Sequence, residues 1–415
     1  MNYLYGRYRY GQFRYASPGS ITGSTPGYNP ESGGYFQNQY AVYAYAPDGT
    51  KTAIFGSGME ENVLASLSFS ITSTGCGDCT LTFNKLPSTA ELNYMQRIDI
   101  HLFGDQYPWY SGYILSRPVD GTTEDTYTFK AHGYYNKLAD QYLFETYQNI
   151  DPGDIVRDIA QKAEASEGLI FNDSKIMNAG YTLEKIVFDG VSIKDALQTL
   201  ADFSIDYVFG VDEYRNLYFK PRNTDINEQA RLTVGKHISG YVPTWDASKI
   251  VNWARIKGGN VNDEGEAWLA TVEDKESQAL YGLRQAVWTL PEAYSVEDAQ
   301  RWGQSRLNQY SSPTRSAKVS GVQLDYPMPD GTFYVRKMST DGNAEIRTLD
   351  GSTSEYPITK ITYKITPEKG ITADLQLGEP SFQLDRYLLE QERNAKAAEQ
   401  ANASAIKQLA TEGGA

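Results

Sequence analysis

LSFSITSTGCGDCTLTF, residues 67–83, is the stretch on which the fold turns. Leu67, Phe69 and Ile71 alternate with Ser and Thr, Gly75-Cys76-Gly77-Asp78 is expected to turn the chain, and Leu81 and Phe83 resume the alternation. Apolar residues at period two on both sides of a glycine-rich turn predict a β-hairpin. Further strands are expected downstream. Ile98, Ile100 and Leu102 alternate in RIDIHLF, the chain turns at Gly104-Asp105-Gln106, and PWYSGYIL returns. After Pro118-Val119-Asp120-Gly121, TYTFKAHGYY places Tyr127, Phe129 and Ala131 on one face. Short strands, each apolar on one side, cannot hide that side as an open meander in water. They must close or stack, so a small antiparallel barrel or sandwich is expected.

At 415 residues the chain is too long for one core, and several packed units are expected. Its 32 tyrosines have an apolar body and a polar tip, which suits strands and half-buried surfaces. No apolar run reaches the roughly 18–20 residues that span a bilayer, and MNYLYGRYRYGQFRY lacks the apolar core of a signal peptide. The expectation is therefore a soluble chain, not exported by the usual route and without a membrane anchor. Two cysteines exclude a disulfide-built scaffold. A net charge of −14 argues against tight nucleic-acid binding, which needs clustered Lys and Arg, but suits a surface that lets DNA pass without sticking.

The predicted architecture is mainly β with an α+β insert: two antiparallel β-barrel modules, a small α+β domain and a C-terminal helix. Residues 1–35 form a Tyr/Gly-rich arm with Arg7, Arg9 and Arg14, open to two readings, a strand or drape added to a neighbouring subunit or a poorly ordered terminus. Its Tyr/Arg composition would also suit single-stranded nucleic acid, against the acidic balance of the rest. Residues 36–147 form the first β-barrel module and 148–226 the insert domain. In the insert, Asp151 caps a helix with Pro152 first and Ile155, Ile159 and Ala163 as its stripe, ending at Gly168. Ser192 and Asp195 start a second helix, and DYVFGVDEYRNLYFKP reads as a hairpin. Residues 227–380 form the second β-barrel module, interrupted at about 260–312 by a loop and a helix that Ser295 caps with Asp298 three on. Residues 381–415 form the terminal helix, whose heptad seam runs Leu384, Leu388, Gln391, Ala395, Ala398, Asn402, Ala405 and Leu409. That seam is small and polar, so it either needs a partner or is a solvated helix.

Chemistry is sparse. Cys76 and Cys79 have the C-x-x-C spacing of a thiol pair or half a zinc site, but His101, His132 and His237 are scattered, and the cysteines are expected at a strand turn rather than a helix N-terminus. His101 falls out of phase with Ile100 and Leu102, on the wetter strand face, and His132 ends a strand. Neither sits near a nucleophile elbow, and no Walker loop, Rossmann fingerprint or H-E-x-x-H is present. A carboxylate pair carries no information among 52 acidic residues. No catalytic residue, metal centre or cofactor is expected. The aromatics leave carbohydrate binding open.

The order of parts resembles the baseplate or tail-tip hub of long-tailed bacteriophages, a family that includes hub parts of contractile injection systems and of type VI spike proteins. The resemblance rests on the Gly75–Asp78 hairpin and on Trp109–Ile114 with Gly112 before a returning strand. It continues through the helix Val191–Phe203 leading to the hairpin Tyr207–Pro221, and Asp246–Asn252 opening the second barrel. Ser277–Arg284 with Tyr281-Gly282, and Leu375–Glu379 before the terminal helix, complete it over about residues 40–390. It implies a homotrimeric, non-enzymatic structural protein of the virion, assembled in the bacterial host cytoplasm. Two barrels in each of three chains would make a ring of six that adapts a sixfold tail tube to a threefold tip. Implied partners are the tail tube or distal tail protein above, the tape measure protein, and tip, spike or fibre proteins below, with DNA only passing through the lumen during ejection. Related tip proteins often continue into a peptidase or fibre domain. Here such a part is expected as a separate chain, attached at the helix from Leu384. The alternative is a carbohydrate-binding or wall-degrading tail-tip protein.

Overall fold

A computed structural model of the chain describes residues 39–378, apart from 58, 60–61, 120–124, 205, 259–267, 291–294, 328–332 and 367–369, together with Ala395. The N-terminal arm and all of the heptad seam except Ala395, which is helical and exposed, lie outside the described residues.

The first β region contains β1 (Tyr40–Tyr45), β2 (Lys51–Gly56), β3 (Leu64–Thr72), β4 (Gly75–Phe83), β5 (Arg97–Leu102), β6 (Tyr110–Ser116) and β7 (Tyr127–Gly133). All its pairings are antiparallel, in the order β2-β1-β5-β6-β7-β4-β3. The alternation works as the sequence predicts: Ile98, Ile100 and Leu102 are buried while the residues between them are half-exposed. The turn falls elsewhere than expected. Thr72 pairs with Gly75, so the chain reverses at Ser73-Thr74, and Gly75-Cys76-Gly77-Asp78 lies inside β4. Period two would put Cys76 and Cys79 on opposite faces, but the register slips between Phe69 and Ile71, and this bulge turns both thiols inward.

A two-turn 3-10 segment, Tyr134–Ala139, leads into the insert. Here β8 (Tyr142–Ile150) and β9 (Leu183–Ser192) form a long ribbon around α1 (Pro152–Glu167), and α2 (Ile193–Phe203) precedes the hairpin β10 (Tyr207–Val211) and β11 (Leu217–Pro221). Both helix starts follow the sequence. Asp151 accepts from Gly153 N at 2.7 Å, and Ser192 Oγ accepts from Asp195 N at 3.1 Å. Asp151 does more than cap, since its carboxylate also takes Ala179 N and Gly180 N, both at 2.9 Å, and so pins the loop ahead of β9.

The second β region begins with β12 (Ile226–Thr233) and β13 (Gly240–Asp246). The chain then leaves through β14 (Trp253–Gly258), β15 (Trp268–Glu273), α3 (Lys275–Tyr281), β16 (Gln285–Leu290) and α4 (Val296–Tyr310). It returns as β17 (Thr314–Gln323), β18 (Asp325–Pro327), β19 (Phe333–Val335), β20 (Asn343–Arg347), β21 (Thr353–Thr366) and β22 (Gly370–Gly378). The excursion is richer than a loop and a helix: β15-β14-β16 is a sheet of its own, and Ser295 caps α4 through Asp298 N at 3.1 Å.

Two cores result. Strands of the first and second β regions share one continuous apolar core from Val42 to Leu377. The insert and the excursion share the other, where Ile155, Leu197, Leu200 and Phe219 pack with Ile256, Trp302 and Leu307. The excursion thus interrupts the second β region in sequence but packs on the insert in space. Among the described residues the two β regions form one hydrogen-bonded sheet, β13-β17-β22-β21-β3-β4-β7-β6-β5-β1-β2, with β20 and β12 on β21 and β10 and β11 on β4. Neither region closes on itself through a ladder among those residues.

Asp151→Ala removes a cap and two loop anchors together. It is expected to lower unfolding free energy by about 2 kcal/mol, the upper end for a lost cap, measured by urea titration.

Candidate functional site

The turn Thr72–Gly75 holds three parts of the chain together. Ser73 N donates to Thr359 O at 3.2 Å, and Thr340 Oγ1 donates to Thr72 O at 3.0 Å, which ties in the second β region. Val211 N donates to Thr74 O at 3.0 Å and the Tyr218 hydroxyl to Ser73 O at 2.7 Å, which ties in the insert. Gly75 makes this possible. Its φ is +102°, a region other residues avoid, and a side chain there would run into the carbonyl of Val211.

From this turn β3 runs antiparallel to β21, with Thr72 opposite Lys360, Phe69 opposite Tyr363 and Leu67 opposite Ile365. Beneath the seam Phe69 stacks on Tyr363 at 5.0 Å between ring centres and meets Tyr110 at 5.5 Å, while Trp109 meets the edge of Tyr363 at 5.4 Å. Such pairs contribute roughly 0.5–1.5 kcal/mol each beyond the area they bury. The hydroxyls of this dry site are satisfied: Tyr363 donates to Met338 O at 3.0 Å and Tyr110 to Gly77 O at 2.9 Å. Burial pushes both phenols above their ordinary pKa, so they stay neutral donors.

The two β regions repeat one strand order. In the first it is β3-β4-β7-β6-β5-β1, and in the second β13-β17-β22-β21-β20-β12. Read along the chain, β1, β3, β4, β5, β6 and β7 correspond to β12, β13, β17, β20, β21 and β22 in the same succession. The registers agree as well. Phe69 faces Cys79 and Cys79 faces Ala131, just as Pro243 faces Ala317 and Ala317 faces Leu377. A bulge after Ile114 on β6 matches one after Ile358 on β21. The repeats also differ: β12 pairs with β20 in parallel where β1 pairs with β5 antiparallel, β2 has no counterpart, the slip between Phe69 and Ile71 on β3 is absent from β13, and the slip between Val319 and Val322 on β17 is absent from β4.

This repetition makes β13 conspicuous. Its counterpart β3 is paired on both edges and buries Leu67 and Phe69, whereas β13 is paired only to β17 among the described residues and leaves Val242 62 % and Trp245 68 % exposed. The Arg315 guanidinium lies 4.6 Å from the Trp245 ring. Which edge of β13 goes unpaired among the described residues is a tertiary fact.

The other residues singled out by the sequence do not converge. Cys76 and Cys79 are free thiols in the apolar core, and burial raises both far above the ordinary thiol pKa, the opposite of what a nucleophile or metal ligand needs. His101 Nδ1 lies 3.0 Å from Asp105 O and its ring meets the Tyr43 edge-on. His132 Nδ1 lies 3.5 Å from Asp78. His237 Nδ1 accepts from Thr233 N at 3.1 Å in the turn that launches β13.

Comparison with solved structures finds this fold in tail proteins. The 43 kDa tail protein of prophage MuSo2 from Shewanella oneidensis is 16 % identical with a TM-score of 0.57, over 82 % of this chain and 98 % of that one. A tail protein from Neisseria meningitidis MC58 is 12 % identical with a TM-score of 0.58, over 82 % of this chain and 96 % of that one. Prophage tail protein gp18 from Listeria monocytogenes EGD-e is 12 % identical with a TM-score of 0.55, over 86 % and 98 %. No family model matches the sequence, and no curated protein matches it. At these identities the likeness is one of fold, and at that level it bears out the resemblance drawn from the sequence.

Gly75→Ala is expected to cost roughly 2–4 kcal/mol in a urea titration, because strain at positive φ adds to a clash with backbone. Gly351→Ala, with φ +87° and open space around it, is expected to cost only about 1 kcal/mol. A pH effect is expected at His237, whose pKa is lowered from 6.5 to about 4 by burial and by the charges of Arg336 and Lys236. The folded state then binds fewer protons than the unfolded one, so this contribution is present above pH 6.5 and lost as pH falls toward 4. The urea midpoint should fall between pH 7 and pH 5, and fall less in His237→Gln.

Proposed function

We propose that the chain is a structural hub of a bacteriophage tail tip or baseplate, acting without catalysis. Three copies form a ring in which the repeated β regions alternate, so that six similar sheet units meet a sixfold tail tube while the assembly presents threefold symmetry to the tip. The observation that carries this reading is the repeated strand order joined in register through β3 and β21, in a fold shared with tail proteins over nearly their whole length. A chain that already joins two like units side by side has the geometry of a ring segment.

Electrostatics fit the passage of DNA through such a ring. With 52 acidic against 38 basic residues the protein field repels phosphate, which keeps a translocating duplex from sticking. Partners on this reading are the tail tube or distal tail protein and the tape measure protein on one side and tip, spike or fibre proteins on the other. The domain limits 36–147, 148–226 and 227–380 belong to the same proposal, as does a partner seam on Leu384, Leu388, Gln391, Ala395, Ala398, Asn402, Ala405 and Leu409.

Light scattering on the purified full chain should give three times the 46.4 kDa chain mass, and negative-stain images should show rings with a central opening. A species that remains monomeric at all concentrations, or one that binds cell-wall sugars or releases wall fragments, would overturn the reading.

A further inference from the structure

We propose that β13 of one copy docks along the Leu115–Val119 segment of a second copy, head to tail, as β3 docks on β21 inside each chain. The inference rests on the ring reading above and names the two surfaces that form it.

The molecule supplies its own template. Within one chain, β21 receives β3 on the stretch Lys360–Ile365, which begins just past the bulge that follows Ile358. The counterpart of β21 is β6, whose bulge follows Ile114. Up to Ile114 the edge of β6 is occupied, since Met95 N donates to Ile114 O at 2.8 Å and Ile114 N donates to Gln96 O at 3.0 Å. Beyond it no strand among the described residues takes that edge: Leu115 is 50 % and Val119 66 % exposed, while Arg117 between them donates to Pro87 O at 2.8 Å and its carbonyl accepts from the Tyr94 hydroxyl at 3.4 Å. The donor is equally unfinished. Trp245 corresponds to Ile71, yet the side chain lies in solvent where β3 has β21 for cover.

Transferring the register of β3 on β21 gives a specific pairing. Thr72 opposite Lys360 becomes Asp246 opposite Ser116 of the second copy, and Phe69 opposite Tyr363 becomes Pro243 opposite Val119. Pro118 and Pro243 each lack an N–H, so the ladder between copies is short, and apolar contact of Pro243 and Trp245 with Val119, which this register puts on one face, carries the interface. Proline on an open edge also discourages indiscriminate strand addition, and this favours the one partner whose side chains fit. Because the two surfaces differ, the contact is heterologous and is self-limiting only when it closes into a ring.

Cysteine cross-linking of the full chain tests the pairing, with the native thiols buried and unreactive. Ser116→Cys and Asp246→Cys combined in one chain should give covalent dimers and trimers with a short bismaleimide, and neither single variant alone should do so. Co-expressing the two single variants should give one covalent dimer. Trp245→Asp should shift the scattering mass from three chains to one while the thermal midpoint of the dissociated wild-type chain is kept, since the side chain is exposed in the single chain. If the wild type is trimeric but no cross-link forms and Trp245→Asp remains trimeric, the interface is wrong and the ring reading survives. A wild type that is monomeric at all concentrations sinks both.

Discussion

The antiparallel seam between β3 and β21 is the contact on which the molecule depends. It joins a strand near the start of the described chain to one near its end, and almost everything else is attached to one side or the other of it. Closing so long a loop costs conformational entropy before any reward arrives. The reward is concentrated: Phe69, Tyr110, Trp109 and Tyr363 form one aromatic cluster under the seam, fully dry and with its hydroxyls bonded to backbone carbonyls. A topology dominated by such distant pairings should fold slowly, with the two β regions maturing together rather than as independent modules.

Sharing a core also changes what the repeated strand order means. The apolar faces of the two β regions merge into one core, and the join is made by backbone pairing. A unit that completes its neighbour in this way leaves one incomplete unit at each end of the chain. Among the described residues β13 stands at one end of the sheet without such a neighbour, and its Val242 and Trp245 are exposed. The insert and the excursion occupy different places in the repeat, one after β7 and one between β13 and β17. They meet in the second core, where α2 and α4 lie together and Asp298 accepts from Glu184 N at 3.3 Å.

Local signals in the sequence proved dependable wherever the physics is local. The caps at Asp151, Ser192 and Ser295 need only a carboxylate or hydroxyl within reach of the next turn's amides, and all three form as their spacing predicts. Alternation located β5 and β7 because one side of each faces a core. The hairpin turn was misplaced for an equally physical reason. Gly75 and Gly77 look like turn residues, but Gly75 is present for a close approach to Val211, a contact made by a strand more than a hundred residues later. In the excursion, β15 and β16 were not legible because their pattern competes with polar loops and their partner β14 is known only once folded.

By itself, then, the sequence determined that strands dominate, where the helices begin, that the thiols and histidines form no ligand cluster of ordinary spacing, and that the surface is acidic, because each of these depends on residues close along the chain or on simple sums of charge. The tertiary structure alone decided which strands meet, that two β regions run into one sheet and one core, and that among the described residues β13 has one edge unpaired. A strand's alternation says which face is apolar. It carries no record of which of many similar edges will lie beside it, since backbone amides are the same in every strand and only packing selects among them.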